Sequence, residues 1–148
     1  MNVLDLLHTD HETVSKLFAE MLSTPSTRKG RREELFATLK SELIRHSHAE
    51  EKVFYPPLRE KKQSHDIVEE GIGEHHHVED MLAQMDAIPA DSDDWLDSVQ
   101  KLKECVDHHV REEEGEIFDD ARSLLDEQVL EGMTDQIRQA KRDELSQQ

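Results

Sequence analysis

Two copies of His-x-x-x-Glu-Glu stand out among the titratable residues: His46, Glu50 and Glu51, then His109, Glu113 and Glu114. Each copy follows a lone histidine that itself follows an acid, Asp10-His11 and Glu74-His75. The lags nearly match, 35 residues from His11 to His46 and 34 from His75 to His109. This pattern predicts a duplicated helix pair. It brings four imidazoles and two carboxylates toward one core, the ligand set of a two-metal site. Imidazole with carboxylate suits iron, and manganese or zinc less specifically. Four residues of helix climb about 6 Å. A His can then cap one ion while the Glu leans between two ions ~3.5–4 Å apart.

Long helices must position these groups. The predicted helices run from about residue 2 to 23, 31 to 60, 64 to 88, 93 to 123 and 126 to 146. Asn2 and the Asp91-Ser92-Asp93-Asp94 run are candidate N-caps. The stretch 24–30 reads as a loop from its Pro, Gly and Ser/Thr content. Pro56-Pro57 should kink or stop the second helix near its end. The fold class is therefore all-α: an antiparallel up-down four-helix bundle with an additional C-terminal helix. One domain spans residues 1–148, with the bundle at 1–123 and the last helix at 126–146. That last helix carries Val129, Leu130, Met133, Ile137 and Leu145 on one side, as a lid on the bundle or a dimer element.

At ~100° per residue, positions three, four, seven and eleven apart share a face. Leu4, Leu7, Val14, Phe18 and Leu22 make a stripe with His11 in its middle. His46 and Glu50 lie in the stripe of Leu35, Leu39, Leu43 and Val53, and His75 lies among Val68, Ile72, Val78 and Leu82. Glu113 is central on the face of Trp95, Leu102, Val106 and Ile117, with His109 beside it. The predicted metal ligands are His11, His46, Glu50, His75, His109 and Glu113. One histidine on an apolar face is usually a hydrogen-bonded core residue. Two buried glutamates are another matter, because an unpartnered buried carboxylate costs several kcal/mol. Glu51, Glu112 and Glu114 read as solvated faces, available to orient ligand imidazoles. His8, His48, His65, His76, His77 and His108 read as surface residues.

The 148 residues carry a net charge of −17, with 36% charged and 34% hydrophobic side chains. Such a charge opposes binding to nucleic-acid phosphates and to anionic membrane surfaces. A core this lean gains from a metal that binds only the folded state. A lone Cys105, which the periodicity turns inward, excludes an internal disulfide and fits a reducing compartment. The start is charged by its fifth residue and no transmembrane run follows, so a cytoplasmic protein is expected. There is no Ser/His/Asp set, phosphate loop or zinc-type Cys pair.

The segments LLHTDHETVSKLF, HSHAEEKVFYPPL, GEHHHVEDML and HHVREEEGEIF resemble the hemerythrin-like, or HHE cation-binding, domains over about residues 1–123. The resemblance implies a four-helix bundle around an oxo- or hydroxo-bridged di-iron centre. His11, His46, His75 and His109 would be terminal ligands, and Glu50 and Glu113 bridges. Oxygen-carrying members have a fifth histidine, from a His-x-x-x-His pair on the third helix. One turn either side of His75 this chain has Gly71 and Glu79. Glu79 is a candidate seventh ligand. Tyr55 can approach if the Pro pair distorts its helix. Three roles follow. The first is binding, sensing or scavenging of O2 or NO at an open position walled by Phe18, Leu39 and Trp95. The second is an enzyme reducing peroxide or NO, with Glu79, Glu116 or Tyr55 as proton donor and a redox partner unidentified. The third is an iron donor for repair of iron–sulfur clusters. A homodimer through the last helix is also compatible with the pattern.

Overall fold

Asn2 begins the first helix as expected. Its side-chain oxygen accepts the Leu4 and Asp5 amides at 2.9 and 3.4 Å, and the Asp5 carboxylate accepts the Asn2 amide at 3.1 Å. This reciprocal box satisfies amides that the first turn cannot. The structure, a computed structural model, describes residues 1–147. Its helices are α1 (Val3–Ser23), α2 (Lys29–Ala49), α3 (Tyr55–Arg59), α4 (His65–Met85), α5 (Asp93–Glu112), α6 (Phe118–Leu124) and α7 (Glu127–Gln147). Two π-helical turns, π1 (Glu50–Phe54) and π2 (Glu113–Ile117), join α2 to α3 and α5 to α6. Ser92 caps α5 by accepting the Trp95 amide at 3.1 Å. No strand occurs among the described residues, and no helix there is long and apolar enough to cross a membrane.

Four rods result: α1, α2–π1–α3, α4 and α5–π2–α6. They pack as an up-down bundle in which α1 lies against α2 and α5, and α4 against α5 and α3. The fifth rod, α7, lies over α1, α2 and π1. It buries Leu130, Met133, Ile137 and Ala140, while Val129 and Leu145 of the expected stripe stay exposed. Helix α2 starts two residues before the predicted 31, and α4 stops at Met85, before the expected 88. The proline pair does not stop its rod. It is carried in α3 just after π1.

The core has two parts. Val3, Leu4, Leu7, Phe54, Tyr55, Leu58, Ile117, Phe118 and the α7 residues fill one end. Phe18, Met21, Leu39, Leu82, Trp95, Val99 and Leu102 fill the other. Between them lies a polar layer at the level of His11, His46, His75 and His109. In an otherwise apolar interior this is where compensation for buried charge must be found.

Candidate metal centre

Each rod supplies one imidazole to that layer, from α1, α2, α4 and α5. Glu50 and Glu113 open the two π turns. In π1 the Tyr55 amide donates to the Glu50 carbonyl, and in π2 the Phe118 amide donates to that of Glu113. Residues five apart would be about 140° out of phase in an α-helix. The wider turn brings them onto one face. Pro56 and Pro57 lack amides to serve the Lys52 and Val53 carbonyls, and their rings crowd those carbonyls. That gives π1 a local cause. In π2, Gly115 holds the place of Lys52.

All six predicted residues converge. Their exposures run from 0% for both glutamates to 8% for His11 and His109. The Nε2 atoms face inward. His11 Nε2 lies 3.1 Å from Glu113 Oε1, and His46 Nε2 lies 3.1 Å from Glu50 Oε1. On the other side His75 Nε2 lies 3.2 Å from Glu50 Oε1, and His109 Nε2 lies 3.3 Å from Glu113 Oε2. Two overlapping four-residue groups result, His11/His46/Glu50/Glu113 and His75/His109/Glu50/Glu113. The donor atoms of each lie within 4.8 Å of one another.

Each imidazole is held from behind by a carboxylate at Nδ1. His11 uses Glu114 (2.6 Å), His46 uses Asp10 (2.8 Å), His75 uses Glu51 (2.9 Å) and His109 uses Glu74 (2.7 Å). These bonds place a proton on Nδ1 and aim Nε2 into the centre, where its lone pair is available to a metal once the imidazole is neutral. The acid before each lone histidine holds the histidine of the next rod. The second glutamate of each repeat holds the lone histidine of the opposite half. Glu51 and Glu114 are thus orienting residues, whereas Glu112 stays outside beside His108 (3.2 Å). The signal was present in the sequence as the acid-His and Glu-Glu pairs.

The donor set fits metal ions. Inside this layer His11 Nε2, His46 Nε2, both Glu50 oxygens and Glu113 Oε1 have no hydrogen-bond partner. The short His–Glu contacts lack hydrogen-bonding angles at those atoms. An unsatisfied buried polar group costs ~1–3 kcal/mol. Five pointed at one place ask for a cation.

The hemerythrin HHE cation-binding domain model matches residues 2–121. The chain belongs to that family. A hemerythrin HHE cation-binding domain-containing protein from Mycobacterium kansasii has a similar solved structure, with a TM-score of 0.81 and 22% identity. The match covers 97% of this chain and 89% of that one. A protein of Nostoc sp. named DNA nickase is 30% identical over 141 residues, 95% of this chain and 39% of that relative. The chain thus spans well under half of that relative's length.

Against this hemerythrin framework, the position one turn before His75 is informative. Gly71 leaves room there for a phenol. A Cβ on Gly71 would sit 3.3 Å from the Tyr55 hydroxyl and 3.6 Å from His109 Cε1. Tyr55 is 1% exposed and donates its hydroxyl proton to Glu113 Oε2. The Tyr55 hydroxyl oxygen also lies 3.5 Å from His75 Nε2, and the Tyr55 and His75 rings stack at 5.4 Å. So of the two extra candidates, the phenol reaches the centre. Glu79 instead accepts from His48 at 2.9 Å, and Glu116 is exposed.

A cavity of about 30 Å³ adjoins the four imidazoles, lined by Val14, Leu43, Ser47, Val78, Val106 and Val110. The expected wall of Phe18, Leu39 and Trp95 belongs to the core farther along the bundle. Phe18 is seven residues beyond His11, two turns away, whereas Val14 is three. Cys105 is half-buried, not interior, and lines a surface cleft with His77 and His108.

The field of the layer favours positive charge. Burial opposes the imidazolium of His46, but Glu50 and Asp10 outweigh it and hold its pKa well above the ordinary value. Burial likewise opposes His109, yet Glu113 and Glu74 push it up to about 10. Burial and then the Glu113 charge drive the Tyr55 phenol well up, so it keeps its proton. Burial would raise Glu113, but its close neighbours Glu50, His109 and His11 outweigh that and hold it well below the usual range.

Proposed function

We propose that the protein holds two iron ions, one by His11 and His46 and one by His75 and His109, with Glu50 and Glu113 shared. The pair binds a diatomic ligand, O2 or NO, to carry, sense or scavenge it. The observation that supports this most is the convergence of four carboxylate-oriented Nε2 atoms on two buried glutamates, both oxygens of Glu50 and Oε1 of Glu113 lacking a hydrogen-bond partner, beside a small apolar cavity. Iron would supply redox electrons and an open coordination position; manganese could fill the same donors with redox chemistry of its own, and zinc without any. Asp10, Glu51, Glu74 and Glu114 orient the imidazoles. The valines and Leu43 exclude bulk water. About 30 Å³ exceeds the ~10–15 Å³ that one water needs, so the cavity has room for a two-atom molecule.

Tyr55 favours a second reading, reduction of peroxide or NO. Its hydroxyl holds a proton at Glu113 Oε2, within the reach of a general acid. The near-complete burial of all six ligand candidates speaks against a role as iron donor. The Nostoc relative's name brings no nucleic-acid partner to this chain in our reading, since a net charge of −17 repels phosphates.

The test is metal analysis and stopped-flow spectroscopy on protein purified without oxygen. Two irons per chain, with a new absorption band on mixing the reduced protein with NO or O2, are expected. Fewer than two metals under iron-replete conditions, or no band with either gas, ends this reading.

A further inference from the structure

The four orienting carboxylates are not backed alike. Each also faces a second basic side chain. For Glu114 it is His8 (2.8 Å), for Glu51 His76 (3.8 Å) and for Glu74 His108 (3.4 Å). Those three imidazoles lie more than half exposed, where water and salt screen them. Asp10 is different. Its second partner is Lys141, an ammonium on α7 whose side chain is only 15% exposed, against 13% for Asp10. His46 Nδ1 and Lys141 Nζ bond the same oxygen, Oδ2. Two donors thus converge on one carboxylate oxygen. Burial would raise the Asp10 pKa, but His46 and Lys141 overcome it and hold the group ionised.

Helix α7 lies outside the segment matched by the family model. Two features set Lys141 in place. Buried Ile137 and Ala140 press this part of α7 onto the bundle. One turn on, Glu144 takes His48 Nδ1 at 3.1 Å, while His48 Nε2 reaches Glu79 at 2.9 Å.

We propose that Lys141 is a positioning residue for the metal position formed by His11 and His46: it fixes Asp10, and Asp10 fixes His46. The inference rests on the two-metal reading above. Its content is an asymmetry. The His11/His46 position depends on α7, and the His75/His109 position does not. The C-terminal helix is then part of the metal centre, and whatever loosens it weakens one ion selectively.

The experiment compares the full chain with Lys141→Met, which keeps the apolar stem, and Lys141→Arg. In metal-free protein, NMR of the imidazole ring protons reads the Nδ1–H bonds directly. Lys141→Met is expected to lose protection at His46 and retain it at His75 and His109. Competition of Zn²⁺ against a chromophoric chelator then reads the two positions. Wild type is expected to take two ions. Lys141→Met should hold one about tenfold or more weaker, within the 10–100-fold range for partners of ligand residues. Lys141→Arg should restore it, and His108→Ala, on the other half, should leave both unchanged.

If Lys141→Met keeps His46 protected and both affinities intact, the inference is wrong. Equal weakening of both ions and of all ring protons also overturns it, because α7 would then merely brace the bundle. Should wild type bind no pair of ions, the two-metal reading fails by itself. The ring protons alone then decide whether Lys141 positions His46.

Discussion

Tyr55 and Phe118 occupy the same position of the duplicated motif, each five residues after a buried glutamate, and they differ by one hydroxyl. Phe118 stacks on His11 at 6.3 Å and an interplanar angle of 18°. Tyr55 stacks on His75 at 5.4 Å and 11°. The approximate twofold relation between the halves therefore extends from the imidazoles to the aromatic plates behind them. It is broken where the Tyr55 hydroxyl bonds Glu113.

Replacing Tyr55 by Phe restores the symmetry and tests what the hydroxyl does. Metal content should remain two ions per chain, because the ring still stacks and the six ligand candidates are untouched. Gas binding should persist. Turnover of peroxide or NO, if present in wild type, should fall by about 10²–10⁴, the typical contribution of a positioned acid. Unchanged turnover would remove Tyr55 from the proton path.

Gly71 and Tyr55 should be energetically coupled. Alanine is ~1 kcal/mol better than glycine inside a helix, but a Cβ at 71 would meet the Tyr55 hydroxyl at 3.3 Å. Gly71→Ala should therefore gain most of that amount in the Tyr55→Phe background and distinctly less in wild type. Thermal melts of the four proteins give the coupling as a double-mutant cycle. Additive effects would mean that Gly71 is not kept small by the phenol.

The carboxylates behind the imidazoles should matter as much as some ligands. Glu51→Gln and Glu114→Gln keep size and an acceptor but remove the charge that polarises His75 and His11. Each should lower metal affinity about 10–100-fold. Glu116→Gln, at an exposed position of π2, should change it little. Equal behaviour of all three in a chelator competition would place the effect in net charge, not in orientation.

The angular argument on apolar stripes was enough to bring out the six converging residues, because burying a charged group is costly and the sequence repeats the cost twice. Helix boundaries were legible to within a few residues from Asn2 and Ser92. What a 100° step cannot show is a change of pitch. On an ideal α-helix Tyr55 points away from Glu50, and only the proline pair hinted otherwise. The acidic runs were ambiguous for a different reason: a carboxylate beside a buried one lies at the rim, where solvation and orienting a ligand look alike in sequence. Lys141 reads from the sequence as part of the exposed side of the last helix, since nothing local in α7 says that it meets Asp10, 131 residues earlier, and the structure corrects this: its side chain is only 15% exposed.

Protons and metal ions should compete for the same imidazoles, which fixes how stability depends on pH. In chelated protein, His109 is raised to about 10, and His46 and His75 are raised as well. A raised imidazole contributes stability that is complete below its unfolded value, ~6.5, and is lost as pH climbs through the folded one. Glu113 is shifted the other way, so its contribution is complete above its unfolded value of ~4.3 and is lost as pH falls through the folded one. Chelated protein should thus melt highest between about pH 4.3 and 6.5, and lower toward pH 10. Loaded protein needs neutral imidazoles, so its advantage over the chelated form should widen across that same alkaline range. Melting curves of both forms at several pH values measure this. A constant gap between them would show that the metal does not take the place of these protons.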